Sequence, residues 1–206
     1  MTLREFTALV SAVLITVGTI WYIYVAIKGD KVKPVLASWI VVCGTMVLSF
    51  TTYWTSPKHS IVSNASNVAG VISTVGILIT VLWLNLKNEG VIHFSRFQKG
   101  SLAAASVIAT FWVIIVWGFN RTGFYPNILT QILMLVGYFV TAEKLWQATK
   151  NTESLFTWTT IMIGSAIALY TGIVSRDTLA TLYATRATVT SATIVWLMYR
   201  IELKNS

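Results

Sequence analysis

Ser63-Asn64-Ala65-Ser66-Asn67-Val68 and Leu182-Tyr183-Ala184-Thr185-Arg186-Ala187 are polar interruptions of two hydrophobic stretches, standing 119 positions apart. Each falls several residues inside a segment long enough to cross a bilayer. Asn67 and Arg186 are therefore read as polar groups held within the membrane. A guanidinium near the bilayer midplane costs about 2.5–3.5 kcal/mol on insertion scales. A polar partner or a watery cavity must offset that cost, and the rest of the chain points to a cavity.

Only 11% of the 206 residues are charged, 55% are hydrophobic, and mean hydropathy is +0.71. A soluble domain would carry about 25% charged residues. The composition implies an integral membrane protein whose first partner is the lipid bilayer. The net charge of +8 then concerns orientation in the membrane, and no nucleic-acid partner is implied. A single cysteine, Cys43 in an apolar run, excludes an internal disulfide and a cysteine metal cluster. His59 and His93 both fall between apolar segments, so no metal site is expected. The first apolar run is full spanning length with no small-residue cleavage site after it, and it reads as a retained helix.

A membrane-spanning helix needs about 20 mostly apolar residues. Seven segments qualify: 7–27, 34–54, 61–86, 101–119, 125–148, 155–174 and 178–199. The expected fold is all-α, with neighbouring helices antiparallel across short connections. Lys and Arg in those connections divide unevenly. Arg4, Lys58, Arg121 and Arg176 fall on one side. Lys28, Lys31, Lys33, Lys87, Arg96, Lys99, Lys144, Lys150, Arg200 and Lys204 fall on the other. The N-terminus is expected outside and the C-terminus in the cytoplasm. Trp54, Tyr125, Trp146 and Tyr199, near span ends, suit interfacial anchoring.

An ungapped shift of 119 residues pairs Leu14 with Leu133, Val17 with Val136, Gly18 with Gly137, Lys31 with Lys150, Trp39 with Trp158 and Ala65 with Ala184. It also pairs Ser38 with Thr157 and Ser66 with Thr185. The first three spans thus match the last three. Residues 1–86 read as one triple-helix bundle, 87–122 as a linker containing the fourth span, and 123–206 as the second bundle. An odd linker gives both bundles the same orientation, a parallel repeat about an axis along the membrane normal. Two such bundles enclose a central pathway.

This 3+1+3 pattern resembles the SWEET sugar transporters, their half-size SemiSWEET relatives, the PQ-loop proteins and the nicotinamide riboside transporters. The local likeness lies in Gly18 to Tyr53, with Lys31-Val32-Lys33-Pro34, Ser38-Trp39 and Gly44. The second copy carries Lys150-Asn151-Thr152-Glu153-Ser154, Thr157-Trp158 and Gly164. It is similar to an uncharacterised bacterial SWEET-like group, which implies a bacterial plasma membrane. The proline usual inside the first helix of each triplet is absent from Ile20-Trp21-Tyr22-Ile23 and from Phe139-Val140-Thr141. Gly18 and Gly137 stand as the replacement hinges or as plain packing points.

In that family an Asn on the third helix of each triplet faces the sugar. The resemblance places Asn67 and Arg186 there, one residue kept and one replaced. An Arg without a counter-ion favours a carboxylate, phosphate or other anion through charge-assisted hydrogen bonds. The alternative is that Arg186 is structural, bonding Asn67, Asn64 and helix-end carbonyls. Asn64 and Tyr183 share the faces of Asn67 and Arg186, and Thr181, Thr185 and Thr188 extend that face or merely bond backbone. Phe50, Tyr53 and Tyr170 are expected along the walls, with Gln131 and Tyr138 as further candidates. Trp39 and Trp158 are either interfacial anchors or an inner gate.

The function expected is transport of a small polar solute, such as a sugar, nucleoside or carboxylate, by alternating access. The other reading is a ligand-binding or sorting receptor of the same fold that moves nothing. Paired carboxylates, a Ser-His pair and a nucleotide motif are all missing from the sequence, so neither an enzyme nor a cofactor is expected. The seventh span has no Lys for a retinal Schiff base. Assembly into homo-oligomers is left open.

Overall fold

The computed structural model describes residues 1–29, 32–56, 59–89, 92–118 and 124–205. Lys31, Lys58, Phe119 and Arg121, which enter the charge bias, the repeat and the fourth span, lie outside the described residues. The chain is all-helical where described: α1 (Leu3–Lys28), α2 (Leu36–Trp54), α3 (Ala65–Glu89), α4 (Arg96–Val113), α5 (Phe124–Gln147), α6 (Leu155–Val174) and α7 (Thr178–Asn205). A π-helical turn, Ile114–Gly118, extends α4.

Local sequence sets the helix ends. Thr2 and Glu5 form a capping box at α1: Glu5 N–H donates to Thr2 Oγ1 at 3.3 Å and Thr2 N–H to Glu5 Oε2 at 2.8 Å. Ser95 and Gln98 do the same for α4. At α7 the cap is Asp177, whose Oδ1 accepts the Ala180 N–H at 3.0 Å. Helix α1 stops at Gly29, whose φ of 74° is the left-handed conformation that a glycine adopts without strain.

Six of the seven helices, α1 to α6, are long and apolar enough to cross a membrane, which marks a membrane protein. Helix α7, 28 residues long, is the exception by composition. Its mean hydropathy is lowered by Arg186 and by a ladder of threonines. Thr181, Thr185, Thr188 and Thr190 each donate to a backbone carbonyl four residues back, which removes most of the hydroxyls' cost.

Helix α3 packs on both α1 and α2, and α7 on both α5 and α6. Helix α1 lies along α6, and α2 along α5; α4 rests on the outside of α5 with a lighter contact to α2. The α1–α6 seam is antiparallel and bonded along its length. Thr171 Oγ1 donates to Thr7 Oγ1 at 2.9 Å, Ser11 Oγ to the Gly164 carbonyl at 2.7 Å, and Thr157 Oγ1 to the Gly18 carbonyl at 3.0 Å. The α2–α5 seam repeats the last of these: Ser38 Oγ donates to the Gly137 carbonyl at 2.7 Å. Ser38 and Thr157, like Gly18 and Gly137, are partners in the 119-residue shift.

The glycines permit this closeness. A Cβ on Gly137 would stand 2.8 Å from Val42 Cγ2, and one on Gly18 would overlap Thr160 Oγ1. Both are contact points between helices, in keeping with small-residue packing in membranes. Large apolar side chains such as Ile20, Ile72, Ile79, Phe139 and Trp196 cover the outside. The shared core joins Tyr22, Trp39, Met46, Ile77, Met134 and Tyr183. Arg4 and the Asp177 turn lie at one end of the bundle; Glu153 and the C-terminus lie at the other, so the termini are on opposite ends.

Candidate functional site

A cavity of about 50 Å³ lies between six of the helices. Its lining follows a pattern. Thr19 of α1 and Tyr138 of α5 contribute, as do Trp39, Val42 and Met46 of α2 and Trp158, Ile161 and Ser165 of α6. All four pairs are 119 residues apart. Helix α3 contributes Gly70, Ser73 and Thr74, and α7 contributes Tyr183, Arg186 and Ala187. These pairs are 113 apart, the same offset as that between the helix starts, Ala65 and Thr178.

Arg186 is 8% exposed. Its Nε donates to Gln131 Oε1 at 3.0 Å, and Gln131 is held in turn by Asn127 Oδ1 at 3.2 Å. The guanidinium carbon sits 4.9 Å from the Tyr183 ring centre and 5.8 Å from that of Tyr138. Each such contact is worth about 0.5–2 kcal/mol. Nη2 is buried with no hydrogen-bond partner. Among the described residues the one salt bridge joins Lys144 to Glu153, so Arg186 has no carboxylate beside it. The result is a fixed positive charge with an unused donor at a cavity wall.

A polar network lies toward each end of the bundle. Trp158, a cavity wall, donates Nε1–H to Glu153 Oε2 at 3.2 Å. Tyr22 packs its ring 5.3 Å from Trp39, another wall, and donates to the same oxygen at 3.1 Å. Lys144 donates to Glu153 Oε1 at 2.6 Å and to the Lys33 carbonyl at 2.7 Å. Helices α1, α5 and α6 thus meet on one buried carboxylate, and Lys144 ties the 32–35 connection to them. At the other end Tyr53 Oη donates to Asp177 Oδ2 at 2.6 Å, and Ser63 Oγ donates to the same oxygen at 2.7 Å. That contact ties the end of α2 to the start of α7.

The residues singled out from sequence divide accordingly. Arg186, Tyr183, Trp39 and Trp158 come together at the cavity, and the two tryptophans are buried, away from any lipid interface. Asn67 does not join them. It lies in the first turn of α3, with Asn64 in the turn before it, and neither lines the cavity. Both are buried with Oδ1 unpartnered, and no hydrogen bond links either to Arg186. The ungapped shift fails here because residues 55–64 join α2 to α3 whereas only 175–177 join α6 to α7. In the register of the helix starts the counterpart of Arg186 is Ser73.

Tyr53 belongs to the Asp177 network and not to the cavity wall. Phe50 stacks on Trp54 with ring centres 5.8 Å apart, and Tyr170 is 46% exposed on the outside. Gly18 and Gly137 sit on the two seams. Trp54, Tyr125, Trp146 and Tyr199 are all exposed, and Arg200 lies 3.9 Å over the Trp146 ring.

Three residues escaped the sequence reading. Glu153 enters the sequence reading only within the Lys150 to Ser154 motif, though its place just before an apolar span gives some signal, since acids favour helix N-termini. Ser73 was hidden by the wrong register. Gln131 was weighed only as a wall residue, not as the partner of Arg186. Comparison with protein families, with curated proteins and with solved structures finds nothing that matches this chain.

Proposed function

We propose that the chain is a membrane transporter that carries a small polar solute by alternating access. It is built as two like three-helix bundles, 1–86 and 123–206, with residues 87–122 as linker. Support for the repeat comes from the reciprocal bonds of Ser38 to Gly137 and Thr157 to Gly18, and from wall residues at matching offsets. The SWEET-like motif resemblance points the same way, and the charge bias favours an outside N-terminus and a cytoplasmic C-terminus.

One observation carries the reading. A buried guanidinium without a counter-ion stands at the wall of a cavity between the helices, and hydrogen-bonded carboxylates tie the helices together toward each end of the bundle. Structural burial of a charge calls for a paired, fully bonded group. Arg186 instead keeps a spare donor, as a ligand site requires. Ties made by polar groups at the two ends of the bundle, not by continuous apolar packing, suit ends that open in turn.

The test is flux. The purified chain in proteoliposomes is expected to pass labelled small solutes down their gradient, saturably and without ATP. Binding with no movement across the bilayer would refute transport and leave a receptor of this fold.

A further inference from the structure

We infer that the cavity takes a small organic monocarboxylate, held end-on by the Nη atoms of Arg186, in preference to a sugar or a nucleoside. The inference rests on the reading of this cavity as the solute site.

The donor set decides the class. Arg186 Nε is taken by Gln131, so a ligand meets the outer nitrogens, of which Nη2 is buried and unpartnered. One guanidinium balances one negative charge. A dianion would leave its second charge against Trp39, Trp158, Met46 and Ile77, where nothing neutralises it. The remaining polar groups are few. Thr19 Oγ1 already donates to the Ile15 carbonyl and Thr74 Oγ1 to that of Val71. The hydroxyls of Ser73 and Ser165 are left, with no partner among the described residues, together with the phenols of Tyr138 and Tyr183 that flank the guanidinium. A hexose carries more hydroxyls than these four groups can pair, and each one left unpaired has a cost.

Size points the same way. A volume near 50 Å³ holds only one or two waters at about 30 Å³ each. Any solute must widen it, and a short-chain acid needs far less widening than a hexose. The carboxylate would face Arg186 between the Tyr138 and Tyr183 rings, and its short apolar body would meet the tryptophans.

Trp39 and Trp158 supply a readout independent of transport. Intrinsic fluorescence of the full chain in detergent is titrated with sodium propionate, propionamide, glucose and sodium chloride. Propionate is expected to give a saturable change and propionamide, its neutral counterpart, one at least tenfold weaker in affinity; glucose is expected to give none. Arg186→Gln should weaken propionate at least tenfold. Should that variant fail to fold, Gln131→Glu places a carboxylate beside the guanidinium and should suppress propionate binding to a similar extent. Equal affinity for propionamide or glucose, or displacement of propionate by an equal concentration of chloride, would overturn the inference. Propionate binding without flux would sink transport but keep the ligand class. Glucose flux without propionate binding would do the reverse.

Discussion

Replacing Glu153 with Ala should open the C-terminal end of the bundle. The carboxylate accepts hydrogen bonds from Tyr22, Trp158 and Lys144 at 3.1, 3.2 and 2.6 Å. Tyr22 is 0% exposed, so truncation strands its hydroxyl away from water. Removing one member of a buried ion pair costs about 3–5 kcal/mol. Lys144 keeps 22% side-chain exposure and can turn to solvent, so the lower figure, about 3 kcal/mol, applies. At about 1.4 kcal/mol per decade, the opening equilibrium should rise on the order of 100-fold. The assay uses Ser73→Cys as a reporter in the cavity wall, with Cys43→Ala removing the native thiol. A membrane-impermeant maleimide is applied from each side of sealed vesicles. Labelling from the C-terminal side should accelerate on that scale in Glu153→Ala, and labelling from the N-terminal side should not. An unchanged rate in folded protein would refute the assignment of Glu153 as the tie at that end. So would equal acceleration from both sides, which would mean general loosening.

Gly137→Ala should lower the thermal midpoint in detergent, because its Cβ would stand 2.8 Å from Val42 Cγ2 and 3.3 Å from the Val42 nitrogen; overpacking of this kind costs about 1–3 kcal/mol. Gly44→Ala, with no atom within 4 Å of its added Cβ, is the control and should be neutral or slightly stabilising. Tyr53→Phe should cost about 1–3 kcal/mol in denaturant unfolding, since Asp177, Ser63 and Ser60 all lose their shared phenol. Its ligand affinity measured by tryptophan fluorescence should stay unchanged, because Tyr53 lies outside the cavity wall.

The helices were legible in the sequence because spanning segments are long and apolar, and the short connections forced them to alternate. The repeat was legible only as far as its spacing stayed constant. Leu14 to Trp39 match their counterparts without a gap, and Trp39, Trp158, Gly18 and Gly137 fall where that alignment implies a shared role. Beyond Trp54 the longer connection breaks the register, so Asn67 was matched to Arg186 when Ser73 holds the facing place. Aromatic residues were the least readable. Tyr170 and Tyr22 are both tyrosines in apolar spans, yet one faces outward and the other is sealed inside. The difference depends on which side of α1 and α6 meets the neighbouring helix. Periodicity does not reveal that when lipid and core are equally apolar. Glu153 was missed for a related reason: its burial comes from three separate segments that meet only after folding.

The wall positions at matching offsets are filled unequally. Thr19, Gly70 and Ser73 come from the N-terminal helices, and Tyr138, Tyr183 and Arg186 stand opposite them. At these three positions the first set supplies room and the second supplies reach, whereas at Met46 and Ser165 the order is reversed. Two copies of the first set would leave a hole with nothing to grip a solute. Two copies of the second would crowd a pair of like charges and four phenols into the same space. On the proposed two-bundle reading, a homodimer of either half would lack the complement that the other supplies.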